Sequence, residues 1–211
     1  MRAQEAFNLL KISMLCIAMT CTDVIHSQQK LTLHIYHPDM PWSVSDSVVM
    51  DIWKYYLCDL GCSPSSFEEC ILVESDTTIP LTCDIGIQKT LTFSLGVDSL
   101  KQAHPDYSGD LNPLKSMYWT WQSGYIQLKA EGKVLQPNGT WQSFQLHLGG
   151  FRNYPTIQKI QRPINGDVIE LRWDEKKLSQ LLQLNPRSHI MSECSESSSL
   201  MSQISHCIQI R

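Results

Sequence analysis

The segment from residue 117 to residue 132 limits the possible folds more than any other part of the chain. It opens with two Trp and two Tyr within nine residues and then alternates apolar with polar side chains up to Gly132. Ile126, Leu128 and Ala130 fall on one side of an extended chain, and the polar residues between them fall on the other. This pattern predicts a half-buried β-strand that ends at Gly132, with the aromatic residues in the core of its sheet.

Short runs of strand-forming residues recur along the rest of the chain. They lie at residues 31–37, 71–73, 79–81, 90–97, 144–148 and 168–173. Helical spacing of apolar residues follows Asp174 as far as residue 184 and returns at residues 199–207. This order predicts a mostly β chain, an antiparallel β-sandwich or barrel-like single domain with one or two short C-terminal helices.

The segment from Val48 to Leu60 fits two kinds of structure. Its apolar residues repeat at helical spacing, and Asp46 or Ser47 could cap a helix that begins there. Its content of β-branched and aromatic residues suits a strand equally well. The local pattern therefore leaves both helix and strand open for this part of the chain.

A tight turn is predicted at the Pro-Asn-Gly sequence of residues 137–139, before the alternating segment at residues 144–148. A two-residue loop at this turn would place Leu128 on the same face as the polar His147, which contradicts the hydrophobic pattern. We therefore expect an odd-length loop or a β-bulge at this connection.

The first 27 residues have the pattern of an export signal. Arg2 precedes an apolar run, residues 9–19, that is too short and too interrupted to be a permanent membrane anchor. Cleavage near Ser27 would leave a mature domain of residues 28–211, and lipid attachment at Cys21 is the alternative. The mature protein is therefore expected in the periplasm, on the cell surface or in the medium.

Six of the eight cysteines lie in the predicted mature domain, and an even number behind an export signal indicates disulfides. We expect local pairing among the four cysteines between residues 58 and 83, and a bridge between Cys194 and Cys207. The alternative is a thiolate metal site at Cys58 and Cys62, although their spacing differs from the usual CxxC pair.

The histidines are the polar residues that most suggest a functional site, because the sequence lacks the motifs of common enzyme classes. The sequence has no GxSxG, HExxH or GxGxxG and no phosphate-binding glycine loop. Its net charge of -4 and its scattered Lys and Arg do not indicate nucleic-acid binding. His34 and His37 fall on the first predicted strand, and His147 follows the turn. Neutral imidazole binds copper, zinc, iron or nickel; the alternative is an ordinary surface or hydrogen-bonded role.

Five segments together resemble the MbnP-like family of methanobactin-associated, exported copper-binding proteins. They are LGVDSL at residues 95–100, GDLNP at 109–113, MYWTWQSGY at 117–125, LKAEG at 128–132 and FQLHLGG at 144–150. The resemblance implies an antiparallel β fold, a strand at residues 48–60, export to the periplasm or cell surface, and copper binding through His side chains. The sequence departs from the family pattern at Ser116, where Gly is usual, and in its cysteines between residues 58 and 83.

Carried over residue by residue, the resemblance assigns the copper ligands to His147, in the Phe-x-x-His-Leu-Gly-Gly motif, and to His34 or His37. It also implies that Trp119 or Trp121 is oxidised to kynurenine and takes part in the metal site. A di-haem partner of the MbnH type carries out that oxidation in the family. By this resemblance the chain stores, buffers or delivers copper and is not itself an enzyme.

The competing hypothesis is a β-sandwich adhesion or ligand-binding module without a metal. In that case Trp119 or Trp121 would lie exposed in a groove, and the histidines would not cluster. Two imidazole nitrogens within about 4 Å of each other would favour the copper hypothesis, because metal–nitrogen bonds are about 2 Å long.

Overall fold

The computed structural model describes residues 28–62, 65–66, 69–84, 89–104, 106–120, 122–185 and 187–211, and the predicted signal peptide lies outside them. The strands are β1 (Gln28–Ile35), β2 (Trp42–Ser45), β3 (Val48–Cys62), β4 (Ser65–Ser66), β5 (Cys70–Val73), β6 (Thr77–Asp84), β7 (Thr90–Leu95), β8 (Tyr118–Thr120), β9 (Gly124–Leu135), β10 (Trp141–Gly149), β11 (Gln158–Pro163), β12 (Val168–Trp173), β13 (His189–Ile190) and β14 (Ile208–Ile210). The helices are α1 (Ser99–Ala103), α2 (Glu175–Leu184) and α3 (Ser195–Ser205).

The strands of the described residues form a small sheet and a large sheet. The small sheet has the order β14-β12-β1-β6, and the large sheet has the order β11-β7-β3-β9-β10-β13. Strands β2, β4 and β5 also pair with β3, and β8 pairs with β9. Strand β1 runs parallel to β12, and β10 runs parallel to β13. The chain is therefore mostly β, as predicted, but its sheets are mixed because these two pairs join strands through long connections rather than hairpins.

The main hydrophobic core lies between the two sheets. Leu33 and Leu171 contribute to it from the small sheet, and Trp53, Leu128 and Leu146 contribute from the large sheet. Apolar side chains of α2 and α3 complete the same core. We call the side of the large sheet that carries Trp53, Leu128 and Leu146 its inner face, and the opposite side its outer face.

A second, smaller cluster covers part of the outer face of the large sheet. We call it the outer aromatic cluster, and it consists of Tyr56, Cys58, Leu72, Val97, Met117, Tyr125 and Ile126, with Tyr118 and Trp119 packed against it. The chain between β7 and β9 supplies much of this cluster by folding back over the sheet. As a result Gln127, on the predicted polar side of β9, is fully buried.

The segment whose local pattern left helix and strand open forms β3, the strand that the family resemblance implies. Strand β3 is 15 residues long; β9 and β7 pair with successive parts of one edge, and β5 pairs with the other edge. Tyr55 on its inner face and Tyr56 on its outer face are both fully buried. Because both faces are covered, apolar residues follow one another and the period-two alternation that marks a half-buried strand disappears.

The β9–β10 hairpin has the odd-length loop that the hydrophobic pattern predicts. Leu135 pairs with Trp141, which leaves the five residues between them as the connection. Ala130 pairs with Leu146 and Leu128 with Leu148, so these apolar residues share the inner face. Ile126, predicted on the same side, packs instead in the outer aromatic cluster, because the register shifts between Leu148 and Gly149. The predicted end of the strand at Gly132 was wrong, because β9 continues to Leu135.

The predicted local disulfide pairing among the first four cysteines of the domain is confirmed. Cys58 is bonded to Cys70 and Cys62 to Cys83, at sequence separations of 12 and 21. Each bridge ties β3 to a neighbouring segment, β5 or β6. A thiolate metal site at Cys58 and Cys62 is excluded, because their sulfur atoms are already covalently paired.

The predicted bridge between Cys194 and Cys207 was wrong, because both are free cysteines. Cys194 caps the N-terminus of α3, and Cys207 follows its C-terminus. An 11-residue helix is about 16 Å long, far beyond the distance that a disulfide can span. The helix that separates the two thiols therefore prevents the bond.

The predicted C-terminal helices are confirmed as α2 and α3. Helix α2 begins after Asp174, whose side chain accepts a hydrogen bond from the backbone N–H of Lys177. Helix α1 is a further short helix that follows β7, and the side chain of Asp98 caps it. Within the described ranges, no helix combines the length and the apolar character needed to cross a membrane.

Candidate metal centre

His147 lies on the outer face of the large sheet because of its position in β10. Leu146 and Leu148 belong to the main core, and strand alternation turns the residue between them outward. The His147 side chain is only 8% exposed, and its Nε2 lies 2.7 Å from Oε1 of Glu131 on β9. Nζ of Lys129 is 3.4 Å from the same carboxylate oxygen. We call His147, Glu131 and Lys129 the polar triad.

The electrostatics of the polar triad favour a neutral imidazole beside an ionised carboxylate. Burial lowers the pKa of His147 below its ordinary value, and the charge of Lys129 acts in the same direction, although the hydrogen bond to Glu131 opposes both. Burial raises the pKa of Glu131, but the hydrogen bond from His147 and the charge of Lys129 outweigh it, so this pKa is also lowered. Neutral imidazole is the form that binds metal ions.

Trp119 packs directly against the end of the strand that carries His147. A Cβ atom on Gly149 would lie 2.7 Å from Cζ3 of Trp119, so this contact requires a glycine. Gly149 is two residues beyond His147, which corresponds to about 7 Å along β10. Nε1 of Trp119 is buried and has no hydrogen-bond partner among the described residues. The structure thus brings Trp119 near His147, whereas Trp121 lies outside the described residues.

Two buried glutamines, which the sequence analysis did not identify, hold the hairpin of β8 and β9 against the chain that follows β7. Trp119 lies on β8 of this hairpin. Gln102 accepts a hydrogen bond from the backbone N–H of Tyr125 and donates to the carbonyl of Val97. Gln127 donates to the same Val97 carbonyl and accepts from the Val97 N–H. A Cβ atom on Gly124 would lie 2.2 Å from Oε1 of Gln102, so the glycine of the Ser-Gly-Tyr motif makes room for this network.

Four tyrosines form a continuous series of edge-to-face contacts through the outer aromatic cluster. The ring centroids are 5.5 Å apart between Tyr107 and Tyr118, 4.9 Å between Tyr118 and Tyr125, and 5.8 Å between Tyr125 and Tyr56. Burial, together with a hydrogen bond to Tyr107, raises the pKa of Tyr118 to about 12. The series runs from the exposed Tyr107 to the fully buried Tyr56.

The first-strand histidines lie apart from His147. Nδ1 of His34 is 3.0 Å from Oγ1 of Thr78, within the small sheet. Nε2 of His37 donates to the carbonyl of Trp53 on β3 at 2.6 Å. Strand β9 separates β3 from β10, so two strand spacings, about 10 Å, lie between that carbonyl and the strand of His147. The structure therefore does not bring His34 or His37 together with His147.

His189 is a second imidazole close to the polar triad, and its role was not predicted. Strand β13 pairs with β10 so that His189 lies beside Gln145, two residues from His147 on the same face. The positive charge of protonated His189 contributes to the lowered pKa of His147, which reflects their proximity. His189 and Glu131 both line a groove of about 360 Å³ on the outer face. The signal in the sequence was a short Ser-His-Ile-Met segment at residues 188–191 with a weak likeness to the family.

The described part of the chain contains no group of three or more His, Cys, Asp or Glu side chains placed to hold a metal ion. On the outer face His147 and Glu131 are in direct contact, and His189 lies on the strand that pairs with that of His147. His147 and His189 thus lie on adjacent strands, and Trp119 contacts the end of the strand that carries His147.

Comparisons with known proteins agree with this fold. The sequence profile of the MbnP family matches residues 26–192, which is most of the chain. A comparison with curated protein sequences gives no significant match. Among solved structures, MbnP from Methylosinus trichosporium is similar to this chain with a TM-score of 0.51 and 12% sequence identity, over 80% of this chain and 83% of that one. The chain is therefore a member of the MbnP family.

Proposed function

We propose that this protein is an exported copper-binding protein that stores, buffers or delivers copper and is not itself an enzyme. The observation that carries the proposal is the nearly buried imidazole of His147, two residues from the glycine against which Trp119 packs. Imidazole is a good copper ligand, and Trp119 is one of the two tryptophans that the family resemblance singles out. Membership of the MbnP family supports the same function.

The side chains of the outer face suit a copper ion with few ligands. His147 and His189 supply two imidazoles from adjacent strands of the large sheet. The thioether of Met117, fully buried in the outer aromatic cluster, is a soft donor of the kind that favours Cu(I). Imidazole and thioether donors suit copper better than a hard cation such as Mg²⁺ or Ca²⁺, which prefers oxygen ligands.

The proposal has three candidates for the second histidine ligand, namely His34, His37 and His189. His34 and His37 are the candidates implied by the family resemblance, but each is hydrogen-bonded elsewhere in the fold. To share one ion with His147, either would have to leave its partner and cross about two strand spacings. His189 lies on the strand next to that of His147, on the same face, which favours His189 as the second ligand.

Oxidation of Trp119 or Trp121 to kynurenine by a di-haem partner of the MbnH type is the second part of the proposal. Oxidative cleavage of the C2–C3 bond by that partner leaves an N-formyl group, and its hydrolysis turns the former indole nitrogen into an aryl amine, which can bind a metal. In Trp119 this nitrogen is buried and makes no hydrogen bond to the described residues, so it is free to take up such a role. Mass spectrometry of tryptic peptides would detect the modification.

Export is supported by the two disulfides. Such bonds persist in oxidising compartments and are rare in a reducing cytosol. The apolar run near the N-terminus would direct the chain to that compartment, and cleavage would remove residues 1–27. N-terminal sequencing of protein recovered from the periplasm would test the cleavage site.

A competition titration with Cu(I) and a colorimetric chelator tests the function. Protein purified from the periplasm of an expression host is expected to bind about one copper ion, and His147→Ala is expected to weaken binding at least about tenfold. His189→Ala, His34→Ala and His37→Ala identify the second ligand. His206→Ala is the matched control, because this histidine at the end of α3 is exposed and its side chain bonds to the carbonyl of Ser202, away from the outer face.

The result that would overturn the proposal is equal, weak binding by the unmodified protein and His147→Ala. The same titration is repeated on protein co-produced with the di-haem partner, after mass spectrometry has confirmed kynurenine. If that form also fails to bind copper, the chain has lost copper binding and the ligand-binding-module hypothesis gains support.

A further inference from the structure

We infer that Glu131 is a positioning residue that fixes the orientation and tautomer of His147, so that Nδ1 and not Nε2 is the nitrogen that binds copper. The inference rests on the proposed function and adds which atom of the ligand does the binding. It is carried by the contact of 2.7 Å between Nε2 of His147 and Oε1 of Glu131.

The first step concerns whether the carboxylate of Glu131 is ionised. Glu131 lies on β9, where Lys129 on the same face has its Nζ 3.4 Å from Oε1. This ion pair forms with an ionised carboxylate, which is the ordinary state of a glutamate at neutral pH. An ionised carboxylate has no proton to donate, so Glu131 can only accept hydrogen bonds.

The second step follows from the first. Because Glu131 only accepts, Nε2 of His147 must carry the proton in their hydrogen bond. A neutral imidazole has one N–H donor and one lone pair, so the lone pair is on Nδ1. Nδ1 of His147 makes no hydrogen bond to the residues that the structure describes. The imidazole is thus prepared to bind a metal through Nδ1 while Nε2–H remains bonded to Glu131.

The third step is orientation. Metal-binding histidines commonly donate their second ring N–H to a carboxylate, which fixes the ring and raises its basicity. His147 and Glu131 lie on adjacent strands of a paired ladder, and their side chains are 8% and 21% exposed, so neither moves freely. Loss of such a partner weakens metal binding by about 10–100-fold.

Nuclear magnetic resonance of nitrogen-15-labelled protein without copper tests the tautomer. An imidazole N–H that is exposed to solvent exchanges too fast to be seen, whereas one held by Glu131 gives a resolved signal. We expect an Nε2–H signal, assigned by its loss in His147→Gln, in the unmodified protein and in Glu74→Ala but not in Glu131→Ala. Glu74→Ala is the matched control, because Glu74 is a carboxylate bonded to Lys54 and not to His147. A signal from Nδ1–H, or none from Nε2–H, would overturn the inference.

Addition of stoichiometric Cu(I), which is diamagnetic, tests the ligand atom. The nitrogen-15 signal of Nδ1 is expected to shift while the Nε2–H signal persists, and Glu131→Ala is expected to weaken Cu(I) binding about 10–100-fold. Loss of the Nε2 proton on copper addition, or equal loss of affinity in Glu74→Ala, would contradict positioning by Glu131. If copper shifts neither nitrogen, the proposed function fails, whereas the copper-free measurement still decides the tautomer.

Discussion

The side chain of Glu193 holds the loop after β10 in place, and its removal gives a stability change that can be worked out from the structure. Oε1 of Glu193 accepts three backbone hydrogen bonds, from Arg152 at 3.2 Å, Asn153 at 2.7 Å and Tyr154 at 2.7 Å. A Cβ atom on Gly150 would lie 2.7 Å from Cγ of Glu193, so the two segments are in close contact. The perturbation is Glu193→Ala.

A hydrogen bond to a charged group contributes about 1.5–3 kcal/mol. Three such bonds share one oxygen here, and water can replace the carboxylate at the exposed N–H groups once it is gone. We therefore expect a total loss of about 2 kcal/mol rather than three full contributions. For a chain of this size that lowers Tm by about 4–8 °C.

Urea unfolding, followed by circular dichroism, measures this change. The midpoint of Glu193→Ala is expected to fall by about 1 M with the slope unchanged, because the loop is small and the surface exposed on unfolding stays the same. Glu196→Ala is the matched control. It removes the same charge three residues away, where the ion pair with Arg187 is 43–55% exposed and solvent screens it.

Two results would refute this reasoning. If Glu193→Ala unfolds at the same urea concentration as the unmodified protein, the three hydrogen bonds contribute nothing net. If Glu196→Ala is destabilised as much as Glu193→Ala, the loss comes from charge near α3 and not from the loop. Retained stability in Glu193→Gln would indicate that a neutral acceptor suffices.

Three further predictions concern stability and thiol chemistry. Because burial holds the pKa of His147 below its ordinary 6.5, the unfolded chain binds more protons than the folded one at slightly acidic pH. Stability should thus fall as pH drops below about 6.5, and His147→Gln should flatten that part of a urea-unfolding pH profile. Replacing Cys62 and Cys83 together by Ser opens a link across 21 residues and should cost about 3 kcal/mol, measured by thermal unfolding. Burial raises the pKa of the Cys207 thiol to about 11, so iodoacetamide should label Cys194 in the native protein and Cys207 only after unfolding; a Cys194–Cys207 disulfide in the mass spectrum would contradict this.

Local sequence patterns predicted the elements with one exposed face and did not identify those with two covered faces. The alternation around Ala130 and Leu146 fixed the hairpin register, because one face of those strands meets the core and the other carries polar residues. Strand β3 is covered on both faces, so its pattern did not separate helix from strand. Gln127 is fully buried only because a distant part of the chain folds over it, and no local pattern encodes that contact.

Local sequence patterns likewise predicted one part of the candidate site and not the rest. Strand alternation and the FQLHLGG motif were enough to place His147 on the polar face beside a tryptophan segment. The approach of His189 depends on the parallel pairing of β13 with β10, which joins residues far apart in sequence. The separation of His37 from His147 depends on which sheet the first strand enters. Both are consequences of topology, which local patterns do not specify.

The position of β1 determines when folding can be completed. The first strand of the domain lies between β6 and β12, and the hydrogen bond from Tyr36 to Glu170 joins residues 134 positions apart. During synthesis the N-terminal part of the chain appears first. The hairpins of the large sheet can therefore form early, but the small sheet cannot be completed until nearly all of the chain is present. The small sheet is therefore completed last in folding. In a chain truncated before β12, the edge of β1 that pairs with β12 would be unpaired and prone to association with other chains.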